Sequence, residues 1–357
     1  MVPASDWTDV LWKTPMRYSC AGLGGAIAKP SASSSNATSG GHMPRYPDSG
    51  DEEEGRNNMS AFRVLAKVLA PLPILACLIG CGTSNGASEA SLQSAAFGHG
   101  VFVAVGDGGE IITSSDGSSW SQQASGVNVD LLDVTYGGNK FVVVGNNGMT
   151  LASSDGTTWS ATTVASDVTF LGVAYGNGLF VIVGDRGAID TSTDGSAWTS
   201  QESGATTGLR AITFGAGLFV AVGKNGEILT SGDAASWSAV ASGTNEALSG
   251  VRYGSGVYTV VGTSGTILRA ADAVSWSTIE TGISHDLSAI SYSQGLFVVV
   301  GANGTILTSS DAETFTQRTS GTSENLQGIS FGNTVFVAVG SSGTILNSAD
   351  GIKWTTT

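Results

Sequence analysis

The sequence predicts an all-β fold, a seven-bladed β-propeller built from four-stranded antiparallel blades. Two observations carry this. Asp-(Gly/Ala)-x-x-Trp/Phe recurs seven times at a fixed step of 39 residues. The stretches between copies hold β-branched and aromatic runs bounded by Gly, Asn and Asp turns, with no helical apolar period. The aspartates are Asp116, Asp155, Asp194, Asp233, Asp272, Asp311 and Asp350. The aromatics four residues later are Trp120, Trp159, Trp198, Trp237, Trp276, Phe315 and Trp354. An uninterrupted period near 40 residues means repeat architecture, in which each unit covers its neighbour's apolar face.

The second repeat, residues 131–169, shows the elements in order. Leu131–Tyr136 reads as a first strand, and Gly137-Gly138-Asn139 turns it. Lys140–Val144 is a second strand, and Gly145-Asn146-Asn147-Gly148 a second turn. Thr150–Ser153 is a third strand turned by Asp155-Gly156. Trp159 is expected to open a fourth strand running to Val164-Ala165. Four antiparallel strands on tight turns make one propeller blade. Two further aromatic sites recur: Phe97 to Phe331 in the first strand, and Phe102 to Phe336 in the second. With the Trp/Phe series, each blade brings three large aromatics, each able to bury roughly 150–250 Å². The glycine series Gly106 to Gly340 and Gly109 to Gly343 are expected at turns of positive φ. Both ends of the repeat region fall at a blade boundary, so the ring is expected to close without a strand exchanged between its first and last blades.

Val105–Trp120 resembles the Asp-box (BNR) repeat, which writes Ser-x-Asp-x-Gly-x-x-Trp between the third and fourth strands of a blade. The Val-Gly-x-x-Gly-x-Ile-Ile run before it is similar to the propeller of photosystem II stability/assembly factors. The resemblance spans about three quarters of the chain and implies a propeller that serves assembly. This chain has one residue fewer before the Trp than that family usually has. It also carries Ala234, Ala273 and Ala312 at the box glycine of blades four to six.

Before the repeats, Arg63 and Lys67 precede an apolar run that ends in Leu78-Ile79-Gly80-Cys81. Its length suits a secretory signal. The ending resembles the bacterial lipobox, which implies cleavage and a lipid on Cys81. The expected organisation is 1–58, a disordered extension or a start placed upstream of a true initiator at Met59; 59–81, a lipoprotein signal peptide; 82–91, a tether; and 92–357, the propeller. The expected place is the cell envelope, with the protein lipid-anchored at the outer membrane or cell surface. No cysteine follows Cys81, so the ring must hold by packing.

From Cys81 onward 22 acidic residues stand against 8 basic ones, which excludes the basic footprint nucleic acid requires. The seven box carboxylates lie one per blade, too far apart for a single ion. Each is expected to accept backbone N–H bonds inside its own turn. His99 and His285 show no metal-ligand spacing, so neither a metal nor a cofactor is expected. The arginines show no cluster of the kind a sialidase needs for its substrate carboxylate, and no catalytic residue is assigned. Departures from the repeat are the better guide. They nominate Asp107, Asp185, Arg186, Arg210, Lys224 and His285 as a candidate binding face, on the turn between strands two and three and on the inter-blade loops. Asp190 also departs, standing where the other blades carry Ile or Leu. The expected function is a non-catalytic scaffold for protein binding or complex assembly. A carbohydrate-binding propeller is the alternative, and a sialidase-like glycoside hydrolase a more distant one.

Overall fold

The computed structural model describes residues 90–357, Ser166 excepted. The extension, the signal segment, Cys81 and nearly all of the tether lie outside the described residues. The rest forms seven four-stranded antiparallel sheets, each from four consecutive strands. Blade one comprises Leu92–Gly98, Val101–Gly106, Ile111–Ser114 and Ser121–Gln123. The first strands of the other blades are Leu131–Gly137, Phe170–Gly176, Leu209–Gly215, Leu248–Gly254, Leu287–Ser293 and Leu326–Gly332. These seven line a central channel. Outer strands are two to four residues long and mostly exposed, which blunts the sheet edges.

Sheet follows sheet with no exchanged strand, so noncovalent packing closes the ring. Leu92, Phe102 and Ile112 of blade one share a buried cluster with Val337, Val339 and Ile345 of blade seven. The Phe97 ring lies on Gly332, where a Cβ would approach to 1.9 Å. Asn333 Nδ2 donates to the Ser115 carbonyl at 3.0 Å across the same seam.

Two aromatics of every blade pair at ring-centroid distances of 4.5–4.7 Å in tilted geometry. The second-strand member is wholly buried in most blades. The fourth strand of blade two runs only from Ser160 to Thr163. Trp159 precedes it, packing its ring against the cluster shared by blades one and two.

The two glycine series have different causes. Gly109 and its equivalents do take positive φ, +83° at Gly109. Gly106 and its equivalents do not: their φ lies near −165°, ordinary extended backbone. They are required by close approach instead, because a Cβ at Gly184 would stand 2.3 Å from the Thr169 carbonyl oxygen. That carbonyl accepts the Asp185 N–H, which stitches the start of each first strand to the end of its second.

Candidate functional site

A β-bulge sits at the start of every first strand. Pairing with the second strand skips one residue, and the skipped residues are Gln93, Leu132, Leu171, Arg210, Ser249, Ser288 and Gln327. An unpaired bulge residue turns its side chain out of the ladder. All seven line one depression of about 510 Å³ at a mouth of the channel, joined by Asp185, Lys224, Thr263 and Asp286. The scaffold places one collar position per blade and leaves its chemistry free.

The candidate face divides on this geometry. Asp185, Arg210 and Lys224 line the mouth. Arg210 is not a loop residue, as the sequence suggested, but the bulge residue of the strand Leu209–Gly215. Lys224 Nζ stands 3.7 Å from Asp185 Oδ1, both half-exposed; such a pair contributes under about 1 kcal/mol and remains open to a partner. Asp107 accepts a 2.8 Å hydrogen bond from Gln93 Nε2 and so braces a collar residue. Arg186 does not join the mouth lining: it pairs with Asp167 at 3.0 Å, both strongly exposed. His285 does not join it either; its Nδ1 lies 3.2 Å from Thr305 Oγ1. Asp190 is buried in blade three, opposite Ile182, and that burial pushes its carboxyl pKa up.

Two acids of the inter-blade loops have a structural task. Asp130 Oδ1 accepts the Gly108 N–H and Asp286 Oδ1 the Ser264 N–H, each at 2.9 Å. Both donors are the positive-φ residue of a neighbouring turn. Sequence reasoning missed the collar, although a signal was present: the residue after each first-strand Leu/Phe changes chemistry from blade to blade, as Gln93, Leu132, Arg210 and Ser249 show. It also missed Asp133, whose carboxylate accepts Ser94 Oγ–H at 2.7 Å and the Val134 and Val173 N–H groups at 2.9 Å. That carboxylate links three blades, and burial lifts its pKa to about 6.

The aspartate turns between third and fourth strands serve themselves. In all seven, Oδ1 accepts the N–H groups two and three residues on, as at Ser118 and Ser119 for Asp116. Those donors hold the carboxyl pKa down, to about 2 at Asp233, Asp272 and Asp311. Trp120, Trp159, Trp237 and Trp354 return Nε1–H to the carbonyl of the box residue. Blade five departs: Ala270 replaces the serine whose hydroxyl braces the turn in the other blades.

No protein-family profile matches the chain, and no curated protein matches it. Solved structures do. The chain is similar to YCF48 from Cyanidioschyzon merolae, with a TM-score of 0.58 at 18% identity over 72% of this chain and 95% of that one. A structure of YCF48 bound to D1 peptide aligns with a TM-score of 0.52 at 20% identity, over 63% and 80%. Saccharomyces cerevisiae Sqt1 aligns with a TM-score of 0.55 at 13% identity, over 75% and 85%. At these identities the likeness shows a common propeller fold.

Proposed function

We propose that the chain is a non-catalytic scaffold that docks a protein partner on the collar mouth and is held at the cell envelope by a lipid on Cys81. One observation carries the docking claim: seven bulges deliver seven side chains of four kinds, Gln, Leu, Arg and Ser, to a single mouth of about 510 Å³. A rigid frame with a variable rim suits recognition. The charges at Asp185, Lys224 and Arg210 supply orientation at that rim. The YCF48 structure holding a D1 peptide supports the reading by showing that a propeller of this fold takes a polypeptide ligand. Three of the five propeller arginines have other occupations than a shared carboxylate site: Arg186 pairs with Asp167, Arg269 with Glu313, and Arg318 bonds Thr308 Oγ1. Sugar recognition expects aromatic faces at the rim, and no aromatic residue lines this mouth. The lipid anchor rests on the Leu78-Ile79-Gly80-Cys81 ending alone.

Affinity capture from native membranes tests the proposal, with wild type, a Cys81→Ser bait and a mouth variant combining Asp185→Lys, Arg210→Glu and Lys224→Glu. A stoichiometric partner held by wild type, lost by the mouth variant and retained by an Arg186→Glu bait is the expected result. A partner that survives mouth reversal places recognition elsewhere. A Cys81→Ser protein that still partitions with membranes as wild type does removes the anchor from the account.

A further inference from the structure

Glycine sorts the collar into close pairs. The residue after the collar position is Gly172 in blade three, Gly250 in blade five and Gly328 in blade seven. A Cβ at Gly172 would stand 3.0 Å from the Arg210 carbonyl oxygen. One at Gly250 would stand 3.2 Å from the Ser288 carbonyl, and one at Gly328 3.0 Å from the Gln93 carbonyl. Each glycine lets its first strand close on the next blade's and so sets its own collar residue beside the neighbouring one. The pairs are Leu171 with Arg210, Ser249 with Ser288, and Gln327 with Gln93. Leu132, on the adjoining first strand of blade two, extends the first pair.

The mouth is therefore polarised. The arc of blades two to four offers two leucines and a guanidinium. The rest of the collar offers hydroxyls and amides, which both donate and accept. Leu132 and Leu171 are half-buried, so part of each faces the open depression. Arg210 is half-buried too, and its side chain has no ion pair or hydrogen bond among the described residues. Lys224, the other cation of the mouth, already stands beside Asp185. Asp286, whose Oδ1 takes the Ser264 N–H, belongs to the loop between blades five and six, across the ring from the leucines. An arriving carboxylate is drawn to Arg210 and repelled by Asp286, which fixes the direction in which it lies.

We propose that the segment docked here is an extended stretch of the partner with an aliphatic and an acidic side chain two residues apart, a Leu-x-Glu pattern. Its carboxylate meets Arg210, and its aliphatic group covers Leu132 and Leu171. Alternate side chains of an extended segment point the same way, so both enter the mouth together. The backbone then lies against the amides and hydroxyls of the remaining collar. A planar guanidinium takes a carboxylate bidentately. The depression of about 510 Å³ suits side chains and a short length of backbone. This inference rests on the mouth being the docking site and adds the chemistry of what docks.

Calorimetric titration of the full chain with acetyl-Gly-Leu-Ser-Glu-Gly-amide, at constant ionic strength, tests it. Both ends are capped, so the side chain holds the sole carboxylate. Wild type is expected to bind it at one saturable site. Glutamine in place of the peptide's glutamate weakens binding about tenfold or more, the loss expected for a charge-assisted hydrogen bond. Serine in place of its leucine weakens binding by a similar factor. Arg210→Gln and Leu171→Ser each weaken the acidic peptide, whereas Arg186→Gln, outside the mouth lining, does not. Arg210→Glu is expected to prefer the same peptide with lysine for glutamate, a gain that damage to the fold cannot produce. No saturable binding by wild type, equal affinity for the glutamate and glutamine peptides, or an Arg210→Glu protein that still prefers the acid overturns the proposal. If the captured partner is lost by the mouth variant while the peptide fails, this chemistry falls and docking at the mouth stands.

Discussion

Asp133→Asn should change how the ring responds to pH. The carboxylate sits between blades one, two and three and accepts hydrogen bonds from Ser94, Val134 and Val173. Burial outweighs those bonds and lifts its pKa from 3.8 to about 6. An acid with a higher pKa in the folded state binds protons more tightly there. Its contribution to stability is therefore greatest at low pH and falls as pH rises from about 4 to about 6. The full span is about 3 kcal/mol at most, because Asp133 is only half-buried and lines the channel, where its charge is partly screened. About 2 kcal/mol of that falls between pH 4.5 and pH 7. Asparagine removes the titration. It also sets an NH₂ where one oxygen accepted a backbone N–H, a loss of about 1 kcal/mol that does not vary with pH. The aspartate turns act in the opposite sense: their carboxyls, held low by backbone N–H groups, withdraw stability as pH falls below about 4. They are common to both proteins and cancel in the comparison. Urea unfolding of wild type and Asp133→Asn at pH 4.5 and pH 7 should show the wild-type advantage shrinking by about 2 kcal/mol on going to pH 7. An advantage that is constant within about 0.5 kcal/mol, or that grows with pH, refutes the reasoning.

Two further tests concern the interior. Asp190→Leu restores the leucine that most other blades carry and removes a buried carboxyl; thermal unfolding at pH 7 should show a gain of about 2 kcal/mol. Trp159 donates Nε1–H to the Gly156 carbonyl at 3.2 Å, whereas Trp198 Nε1 is buried with no partner among the described residues. Trp159→Phe should therefore cost about 1 kcal/mol more than Trp198→Phe in denaturant titrations, beyond the shared loss of ring area.

The period, the strands and the aromatic layers were legible because each depends on local pattern repeated seven times. Trp159 and its equivalents announce a blade wherever they fall. The collar was harder to see. A bulge is a fact of pairing register, and Arg210 looks like a loop residue until its neighbours Leu209 and Ala211 are seen to pair with Gly223 and Val222. Gly106 misled for a related reason: its sequence context suggests a positive-φ turn, while its cause is the Ser91 carbonyl at 2.2 Å from where a Cβ would be. Asp133 is a single departure whose meaning depends on which blades it faces. Asp190 illustrates the limit: the sequence marks it only as a departure from the Ile or Leu of the other blades, and the strand shows that it lies inside.

The central claim is that recognition belongs to the collar mouth and structure to the aspartate turns. Hydrogen exchange on the captured complex tests it most directly. The account predicts slowed exchange at the starts of the first strands, around Arg210 and Ser249, and at the turns holding Asp185 and Lys224, with the turns at Asp116 to Asp350 unchanged. Protection confined to the aspartate turns or the outer strands would contradict it.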